Sequence, residues 1–553
     1  MVKDVFTFLV GGKAGEGVKK AGAVGAQIFI EKGLQIFRMD DYMSLIRGGH
    51  NFSVVSTANR KINSHYMKAN LSVNSDKRSY DNHIDHLIEN GMIIYNSDEI
   101  TESKGFGIPF TSMTKNYKMG NLMFGIGAVA ALAAYIDYSK ENLYNVIKKE
   151  YKKGIEDNIK YATEIYDIVN SKISNKFSLA GGDIKRPIIT GNQAISFGAI
   201  AGGLDTYFGY PMTPASSILH SLAKYASDFG LAIVHPESEI AVINMAIGAS
   251  FAGAKSMVGT SGGGFALMVE GFSLAGITEA PLLIILSMRP GPATGVPTYT
   301  EQADLNFALY AGHGDFLRIL ASPATIKDAF YLTAEMLDLV CKFQTPGILL
   351  TEKHLSESAM TVDLDIRDTI WAEFKIGKND QDYKRYLYTD DGISPLSFPP
   401  SDQLIKWNSY EHDEYGFTTE DSEITANMHD KRYRKGDTLK EYMKSNIKTV
   451  NIYGDQGPLI FTYGSTTMSV LEALHYGDIK ARVIQPVYLS PFPIWDIEQY
   501  QNKPIIVVEM SKSGQFNNLL KEKGGLTVKN LINKYDGRAF DPIDLSIKLM
   551  EVL

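Results

Sequence analysis

The chain has 553 residues, of which 44% are hydrophobic and 21% are charged, and these proportions exclude a disordered or collagen-like protein. Its length predicts about three or four domains. The formal charge of -8 argues against a general nucleic-acid binder, and the single cysteine, Cys341, excludes an internal disulfide, a CxxC redox pair and a cysteine-ligated iron–sulfur cluster within this chain.

The first predicted domain, residues 1–177, opens with a buried strand, a glycine-rich turn and a helix. Residues 5–10 form the apolar run of the strand, residues 11–17 contain the glycines, and residues 18–31 have helical spacing of small and apolar side chains. A second strand is expected at residues 34–37. The order strand, turn, helix, strand is typical of a βαβ unit.

The N-terminus lacks the charged start and long apolar core of a signal peptide. The longest apolar run, about Ala280 to Leu286, is far shorter than the ~20 residues that span a bilayer. The sequence therefore predicts a soluble, cytoplasmic protein with no membrane contact.

The second predicted domain, residues 188–360, alternates apolar strands with helices rich in alanine and glycine. Strands are expected near residues 232–234, 256–258, 282–286 and 347–351. Continuous apolar strands of this kind are buried on both faces, which is typical of a mostly parallel sheet between two layers of helices.

Two further segments complete the chain. Residues 361–448 are polar and lack long periodic runs, but their aromatic side chains argue against disorder, so an ordered excursion or linker that touches a partner is expected. Residues 449–553 return to an α/β pattern, with strands expected at 459–463, 481–484 and 504–508.

The glycine-rich turn of the first domain has the order Gly12-x-x-Gly15-x-Gly17. Glycines between a strand and a helix let backbone amides approach a phosphate or another chain. The dinucleotide fingerprint has a different order, G-x-G-x-x-G, although Asp40 lies at about the distance expected for a ribose-binding acid. An NAD-linked dehydrogenase therefore remains an alternative, and Arg47-Gly-Gly-His-Asn51 is a second candidate ligand loop.

Three motifs of the second domain present polar groups next to predicted strands. Prolines on both sides of Thr213, in Tyr210-Pro-Met-Thr-Pro214, hold its hydroxyl in one direction, which suits substrate binding. Glu239 precedes a helix of small residues, where an acid also interacts favourably with the helix dipole. Arg289 begins a proline-rich loop at the end of a strand, from which it can clamp a carboxylate or a phosphate.

Two other motifs favour chemistry that the rest of the chain does not support. Gly259-Thr-Ser-Gly-Gly263 matches the G-x-S-x-G pattern of serine hydrolases, but no downstream acid–histidine pair stands out. Glu411-His-Asp-Glu414 contains metal-ligand residue types, but four consecutive residues cannot all face one ion without strain. A plain turn explains the first motif equally well, and a solvated or partner-contacting loop explains the second. No metal site is assigned.

Together the motifs resemble the α subunit of 2-oxoacid:ferredoxin oxidoreductases, in the form with a γ domain fused in front of α. The residues that carry the resemblance lie in order along nearly the whole chain: Gly11 to Gly17, Arg47 to Asn51, Tyr210 to Pro214, Glu237 to Ala241, Thr260 to Gly264, Gly291 to Gly295, Thr300 to Leu305, Gly392 to Pro395, Glu411 to Gly416, Val508 to Met510 and Gly514-Gln515.

The resemblance implies a multidomain α/β fold. Its parts are an N-terminal γ-type domain (1–177), a parallel-sheet domain that binds the pyrimidine of thiamine diphosphate (188–360), the excursion (361–448) and a domain like the C-terminal domain of transketolase (449–553). It also implies CoA-dependent oxidative decarboxylation of a 2-oxoacid, with electrons passed to ferredoxin. A β subunit would supply the diphosphate and Mg²⁺ site and a [4Fe-4S] cluster, in an αβ or (αβ)₂ assembly. A non-catalytic assembly subunit of such a complex remains an alternative.

By the same resemblance, Glu239 hydrogen-bonds the pyrimidine ring and Thr213 contacts the 2-oxoacid. These two residues are the catalytic candidates. The other candidates fall into three groups: Tyr210, Arg289 and Tyr299 for substrate, Pro211, Gly262 and Gly263 with Glu239 for the cofactor, and Gly12, Gly15, Gly17 and Arg47 for coenzyme A.

One residue departs from the family pattern. Many relatives carry a basic residue where this chain has Tyr299, and there it is expected near the substrate carboxylate. A tyrosine lacks that charge, so either Arg289 or a β-subunit group supplies it, or the preferred substrate differs. The sequence does not choose among pyruvate, 2-oxoglutarate and branched-chain 2-oxoacids.

Overall fold

The computed structural model describes residues 4–44, 48–101, 104–377 and 382–553, which form three β-sheets covered by helices. The predicted α/β class is confirmed. Within these residues no helix is both long enough and apolar enough to cross a membrane.

The first sheet has eight strands and belongs mainly to the N-terminal domain. Its N-terminal strands are β1 (Phe6–Ala14), β2 (Gln35–Asp41), β3 (Gly48–Ala58), β4 (Ala69–Asn74), β5 (Leu87–Asn96) and β6 (Phe106–Ile108). The helices of this domain are α1 (Val18–Glu31), α2 (Lys77–His83), α3 (Phe110–Thr114), α4 (Phe124–Tyr135), α5 (Lys140–Glu150) and α6 (Ile155–Lys172).

The strand–helix–strand unit at the start of the chain is not a simple βαβ unit. Strand β3 lies between β1 and β2 and is antiparallel to both. Its pairing with β1 places Asn51 opposite Gly12 and Gly48 opposite Ala14. The two glycine-containing motifs of this domain are therefore neighbours at one end of the sheet.

The second sheet has seven strands and carries the motifs of the second domain. The elements from residue 188 to 361 are β7 (Ile188–Thr190), α7 (Gly191–Ala201), β8 (Thr206–Gly209), α8 (Ser216–Phe229), β9 (Ala232–Val234), α9 (Glu239–Phe251), β10 (Ser256–Thr260), α10 (Gly262–Ile277), β11 (Leu282–Met288), α11 (Leu305–Tyr310), β12 (Ile319–Ala321), α12 (Ile326–Phe343), β13 (Pro346–Glu352), α13 (Lys353–Glu357) and β14 (Ala359–Thr361). Strands β12, β13, β11, β10, β8 and β9 are neighbours in that order and all parallel, as the apolar runs predict.

The excursion ends in a long helix that the sequence pattern does not predict. The remaining elements are α14 (Ser422–Asn446), β15 (Val450–Tyr453), β16 (Leu459–Phe461), α15 (Thr466–Tyr476), β17 (Arg482–Pro486), β18 (Tyr488–Ser490), α16 (Ile494–Ile497), β19 (Ile505–Glu509), α17 (Gln515–Gly524), β20 (Val528–Asn533) and α18 (Pro542–Val552). The sequence of α14 shows no regular apolar spacing, because Lys431 and Lys435 occupy interior positions where apolar residues would be expected. Both side chains are buried there in ion pairs.

Short strands join the predicted domains to one another. Strand β14 pairs with β2 of the first domain and with β7, and β18 of the C-terminal segment extends the second sheet beside β12. The third sheet, in the order β15-β17-β16-β19-β20, lies wholly within the C-terminal segment. One buried cluster contains side chains from all of these segments, including Phe37, Ile218, Leu439 and Tyr488, so the domains share a core.

Candidate functional site

Four of the predicted motifs meet at one edge of the second sheet. Tyr210–Pro214 follows β8, His235–Glu239 follows β9, Ser261–Gly264 follows β10 and Arg289–Gly295 follows β11. These strands are parallel neighbours, so their carboxyl ends lie side by side. Ligands of α/β proteins bind at such an edge.

Glu239 is the first residue of α9 and its side chain is buried, with 3% of the residue exposed. The hydroxyl of Ser238 caps the helix by accepting a hydrogen bond from the Ala241 amide. Glu237, two residues earlier, is exposed. The two glutamates of this motif therefore differ sharply in environment.

The carboxylate of Glu239 lies against the first turn of α10. A Cβ atom built on Gly264 would be 2.6 Å from Glu239 Oε1 and 2.1 Å from Thr260 Oγ1, so the close approach requires glycine there. Glu239 Oε1 and the hydroxyl of Ser261 are buried and have no hydrogen-bond partner in the described part of the chain. Two buried polar atoms are thus free for a ligand.

Thr213 and Arg289 are joined directly. Arg289 Nη1 donates a hydrogen bond to the carbonyl oxygen of Thr213 at 2.8 Å, while Arg289 Nε is buried with no partner among the described residues. Burial lowers the pKa of Arg289, and the charge of Asp304 opposes that shift. Asn192, which the sequence analysis missed, holds the same loop by donating to the carbonyl oxygen of Pro214 at 2.7 Å.

The other residues predicted at this edge, Tyr210, Pro211 and Gly263, are exposed. Tyr210 is 38% exposed and its ring meets that of His235 at a centroid distance of 6.0 Å. Pro211 is also exposed. A Cβ atom on Gly263 would have only the carbonyl oxygen of Ala293 within 4 Å, at 3.9 Å, so the backbone of α10 is open to an approaching group here.

Asp304 joins this edge from the Thr300–Leu305 segment, which carries the family resemblance but in which no site residue was predicted. A Cβ atom on Gly262 would be 2.5 Å from Asp304 Oδ2, so the carboxylate covers the start of α10. Burial raises the pKa of Asp304 to about 6, and the charge of Arg289 opposes that rise.

Tyr299 lies at the junction of three segments of the chain. The guanidinium carbon of Arg538 is 3.7 Å from the centroid of its ring, and Arg538 Nε is 3.3 Å from Asp41 Oδ2 of β2. The loop that bears Tyr299 is held to the C-terminal segment because the Thr300 amide donates to the carbonyl oxygen of Gly537. Arg538 was missed because no local pattern relates position 538 to position 299.

The glycine-rich turn of the first domain is partly filled by its own glutamate. Glu16 Oε2 accepts hydrogen bonds from the Lys13 amide, at 2.8 Å, and from the Ser75 hydroxyl. A Cβ atom on Gly12 would clash with these two side chains, while Gly15 and Gly17 have positive φ angles of 97° and 79°. Arg47, the fourth residue predicted to contact coenzyme A, lies outside the described residues.

Asp40 does not present a free carboxylate to a ribose. Its Oδ1 accepts a hydrogen bond from Ser53 at 2.7 Å, and its Oδ2 lies 3.4 Å from Arg38 Nη2. The residue is 5% exposed. These contacts weaken the NAD interpretation of the Gly12 turn.

The two remaining motifs, the serine-hydrolase pattern and the possible metal-binding segment, have structural explanations. Ser261, the serine of the hydrolase pattern, is buried at the N-terminus of α10 and has no base bonded to its hydroxyl within the described ranges. Glu411 pairs with Arg432 of α14 at 2.6 Å and 3.0 Å, and His412 packs against Tyr386 in a tilted arrangement with ring centroids 3.8 Å apart. The Glu411–Glu414 segment therefore anchors the excursion.

An apolar surface extends from this edge along α9 and α10. Its exposed side chains are Ile240, Met245 and Leu267, with exposed fractions of 55%, 45% and 51%. A groove of about 720 Å³ runs between the two helices and reaches His429 and Arg432 of α14. We call this the α9/α10 face.

Comparison with known proteins agrees with this arrangement. Residues 7–168 match the family model "Pyruvate ferredoxin/flavodoxin oxidoreductase", and residues 197–431 match "Pyruvate flavodoxin/ferredoxin oxidoreductase, thiamine diP-bdg". The first match covers the domain with the Gly12 turn. The second covers the four motifs at the sheet edge and continues through the excursion into α14.

Several curated relatives align over most of their length. The 2-oxoacid:ferredoxin oxidoreductase subunit alpha of a Sulfolobus species is 29% identical over 99% of this chain and 97% of the relative. 2-Oxoglutarate synthase subunit KorA of Archaeoglobus fulgidus is 34% identical over 59% of this chain and 88% of its own. Ketoisovalerate oxidoreductase subunit VorB of Methanothermobacter marburgensis is 30% identical over 66% and 97%.

A solved structure has the same fold throughout. The 2-oxoglutarate:ferredoxin oxidoreductase from Magnetococcus marinus, solved with 2-oxoglutarate, coenzyme A and succinyl-CoA bound, superposes with a TM-score of 0.90 at 28% identity, over 99% of both chains. The chain belongs to the 2-oxoacid:ferredoxin oxidoreductase family. It corresponds to an α subunit with a γ-type domain in front.

Proposed function

We propose that this chain, together with a β subunit, converts a 2-oxoacid and coenzyme A to acyl-coenzyme A and CO₂ and passes the electrons to ferredoxin. The observation that carries the proposal is the buried Glu239 carboxylate, whose Oε1 has no partner in the described residues and lies at the sheet edge in a chain of this family. A buried acceptor without a donor is costly in a purely structural role, so a ligand donor is expected there.

The sheet edge fits the pyrimidine half of thiamine diphosphate. Glu239 would bind the polar edge of the ring, the open backbone at Gly263 would lie beside it, and Gly262 and Pro211 would complete the walls. When bound, thiamine diphosphate supplies a nucleophilic carbon and an electron sink for decarboxylation of 2-oxoacids. The task of Glu239 is to hold a proton or a hydrogen bond at the ring, out of contact with water.

Thr213 and Arg289 would bind and orient the substrate. Their direct hydrogen bond places a hydroxyl-bearing residue and a guanidinium group together at the mouth of the edge. The unpartnered Arg289 Nε and the remaining guanidinium donors suit the carboxylate of a 2-oxoacid. Tyr210, exposed beside His235, would form the outer wall of the same pocket.

Coenzyme A would approach from the N-terminal domain. Gly12, Gly15 and Gly17 lie at one end of the first sheet, beside the start of β3 that follows Arg47. Glu16 already accepts the Lys13 amide, so binding of a phosphate at this turn requires that carboxylate to move away.

The partner would be a β subunit that covers the α9/α10 face and completes the cofactor site. The face begins at Glu239 and Gly262, the first residues of its two helices, so a chain seated on it would reach the cofactor. Ile240 and Leu267 are exposed apolar side chains that line the same groove, and exposed apolar groups of this kind mark protein interfaces. We propose that this β subunit carries the Mg²⁺–diphosphate site and a [4Fe-4S] cluster, in an αβ or (αβ)₂ assembly.

The experiment is an anaerobic purification of the tagged chain from its native cell, followed by a viologen-reduction assay. Pyruvate, 2-oxoglutarate and branched-chain 2-oxoacids are tested with and without coenzyme A. Coenzyme A-dependent reduction, together with a cysteine-rich partner, supports the proposal and identifies the substrate. A partner without any 2-oxoacid activity favours the non-catalytic assembly role, and turnover by the chain alone contradicts the two-subunit arrangement.

A further inference from the structure

Asp304 stands at the position of a helix cap but does not cap its helix. It precedes α11, where an aspartate normally accepts a hydrogen bond from an amide of the first turn, yet its side chain makes no such bond. The Asn306 amide instead donates to Gln515 Oε1 of α17 at 2.8 Å, and Gln515 Nε2 donates to the carbonyl oxygen of Ala303 at 2.6 Å. A side chain from the C-terminal segment thus replaces Asp304 as the cap.

The released carboxylate faces the candidate active site. Asp304 Oδ2 packs against the backbone of Gly262, at the start of α10. Its only attractive charge partner of note is Arg289, which is too far away to form an ion pair within 4 Å in the described residues. The Asp304 carboxylate and the guanidinium that would bind the substrate therefore lie at the same edge of the sheet, close enough for the charge of Arg289 to lower the pKa of Asp304.

We propose that Asp304 is a second substrate-binding residue beside Arg289, and that it takes up one proton when the 2-oxoacid anion binds. This inference rests on the proposed function of Arg289. The proton comes from solvent and forms an O–H bond on the Asp304 carboxylate, while no bond of the substrate changes. The neutral carboxyl group then donates that hydrogen bond to an oxygen of the bound 2-oxoacid.

The electrostatics explain why the proton is taken up. Two carboxylates in one partly desolvated pocket repel each other, and protonation of one removes the repulsion. The free protein is already close to this change, because burial raises the pKa of Asp304 to about 6. A substrate anion beside Asp304 raises that pKa further.

Among the described groups that face Asp304 from its neighbouring elements, Arg289 offsets part of this rise in pKa and the others do not. Arg289, which follows β11, lowers the pKa of Asp304. Glu301 lies in the same segment as Asp304, and its own pKa is raised by burial and by the charge of Asp304. Tyr463, after β16, is buried and its pKa lies far above neutrality. Glu239 lies on the far side of the first turn of α10, against Gly264 rather than Gly262.

The sign of the pH dependence follows from linkage. A substrate that binds best to protonated Asp304 has its lowest KM below about pH 6, and the KM rises as the pH passes through the pKa of the free protein. It levels off above the higher pKa of the complex. A repulsion of about 1.4 kcal/mol corresponds to a tenfold rise in KM.

The test measures KM and kcat of the assembled enzyme from about pH 5.5 to pH 8.5, in the wild type and in Asp304→Asn. We expect the wild-type KM for the 2-oxoacid to rise about tenfold with pH, and the KM of the variant to be flat and about tenfold below the wild type at pH 8. Asp228→Asn, which removes an exposed carboxylate near the end of α8, is the matched control and should keep the wild-type profile.

Each outcome separates this inference from the proposed function. If no 2-oxoacid is turned over by the wild type, the proposed function itself fails. If the wild type is active but its KM does not change with pH, or if Asp304→Asn raises the KM at pH 8, the role of Asp304 is wrong. The wild-type KM profile decides the matter even where the variant does not assemble.

Discussion

Arg538 lies over the ring of Tyr299, with its guanidinium carbon 3.7 Å from the ring centroid, although the two residues are far apart in the chain. The stack brings a cation from the C-terminal segment to Tyr299, the position where the resemblance leads us to expect a basic residue. Asp41 of the first domain binds the same guanidinium at 3.3 Å. One arginine therefore connects the loop that begins at Arg289 with both flanking domains.

The first prediction concerns this stack. Arg538→Gln removes the cation and the support of the loop, and we expect the KM for the 2-oxoacid to rise about three- to tenfold, since cation–π contacts contribute roughly 0.5–2 kcal/mol. The kcat should change little, because the residue does not contact Glu239. The measurement is steady-state kinetics, with Arg367→Gln, which removes an exposed guanidinium, as the control. An unchanged KM would show that Arg538 serves only the fold.

The second prediction separates the two glutamates that follow β9. Glu239→Gln keeps the size of the side chain but removes its ability to hold a proton, and we expect viologen reduction to fall by at least about a hundredfold. Glu237→Gln changes an exposed side chain and should leave the rate unchanged. Co-purification of the partner is the control for assembly. Full activity in Glu239→Gln would remove this residue from the mechanism.

The third prediction concerns the α9/α10 face. Leu267→Asp places a charge at an exposed apolar position of this face, and we expect the affinity for the β subunit to fall by about thirtyfold or more, as for a buried interface residue. Ile547→Asp alters an equally exposed apolar residue on α18 and is the matched control. The measurement is the amount of partner retained in a pull-down. Equal retention by the two variants would place the interface elsewhere.

The fourth prediction tests the buried charges that hold the excursion in place. Glu279 accepts hydrogen bonds from Lys431 at 2.7 Å and from Lys435 at 2.6 Å. Burial alone would raise the pKa of Glu279, but the two ammonium groups outweigh it and hold the pKa well below its usual range. The carboxylate therefore stabilises the fold above the pKa of the unfolded chain and loses this effect only as the pH falls into the strongly acidic range.

Removal of that carboxylate leaves the buried ammonium groups of Lys431 and Lys435 without their acidic partner. We expect Glu279→Gln to destabilise the protein by about 3–5 kcal/mol, because a broken buried ion pair leaves uncompensated charge. Urea unfolding followed by circular dichroism measures the change. Asp437→Asn breaks the exposed pair with Lys440 in the same helix, and its urea midpoint should match the wild type. Similar midpoints in the two variants would contradict the structural role of Glu279.

Much of the fold could be predicted from local patterns. The apolar runs at 256–258, 282–286 and 347–351 became neighbouring parallel strands because a run with no polar face must be buried on both sides. Helix α1 begins and ends where its glycine turn and apolar spacing predict. Strands β14 and β18 were missed because three residues are too few to show a period, and they join sheets through partners remote in sequence.

The candidate site divides in the same way. The sequence by itself determined the chemical groups that follow each strand, including Glu239, Thr213 and Arg289, and the family to which their order belongs. Only the tertiary structure decided which of these groups are buried, which meet, and which distant residues join them. The carboxylate of Asp304 makes no helix-cap hydrogen bond, because Gln515 caps α11 in its place. Arg538 reaches Tyr299 because the C-terminal segment packs beside the loop that bears Tyr299. Such contacts depend on how separate elements pack, and a local sequence pattern carries no information about that packing.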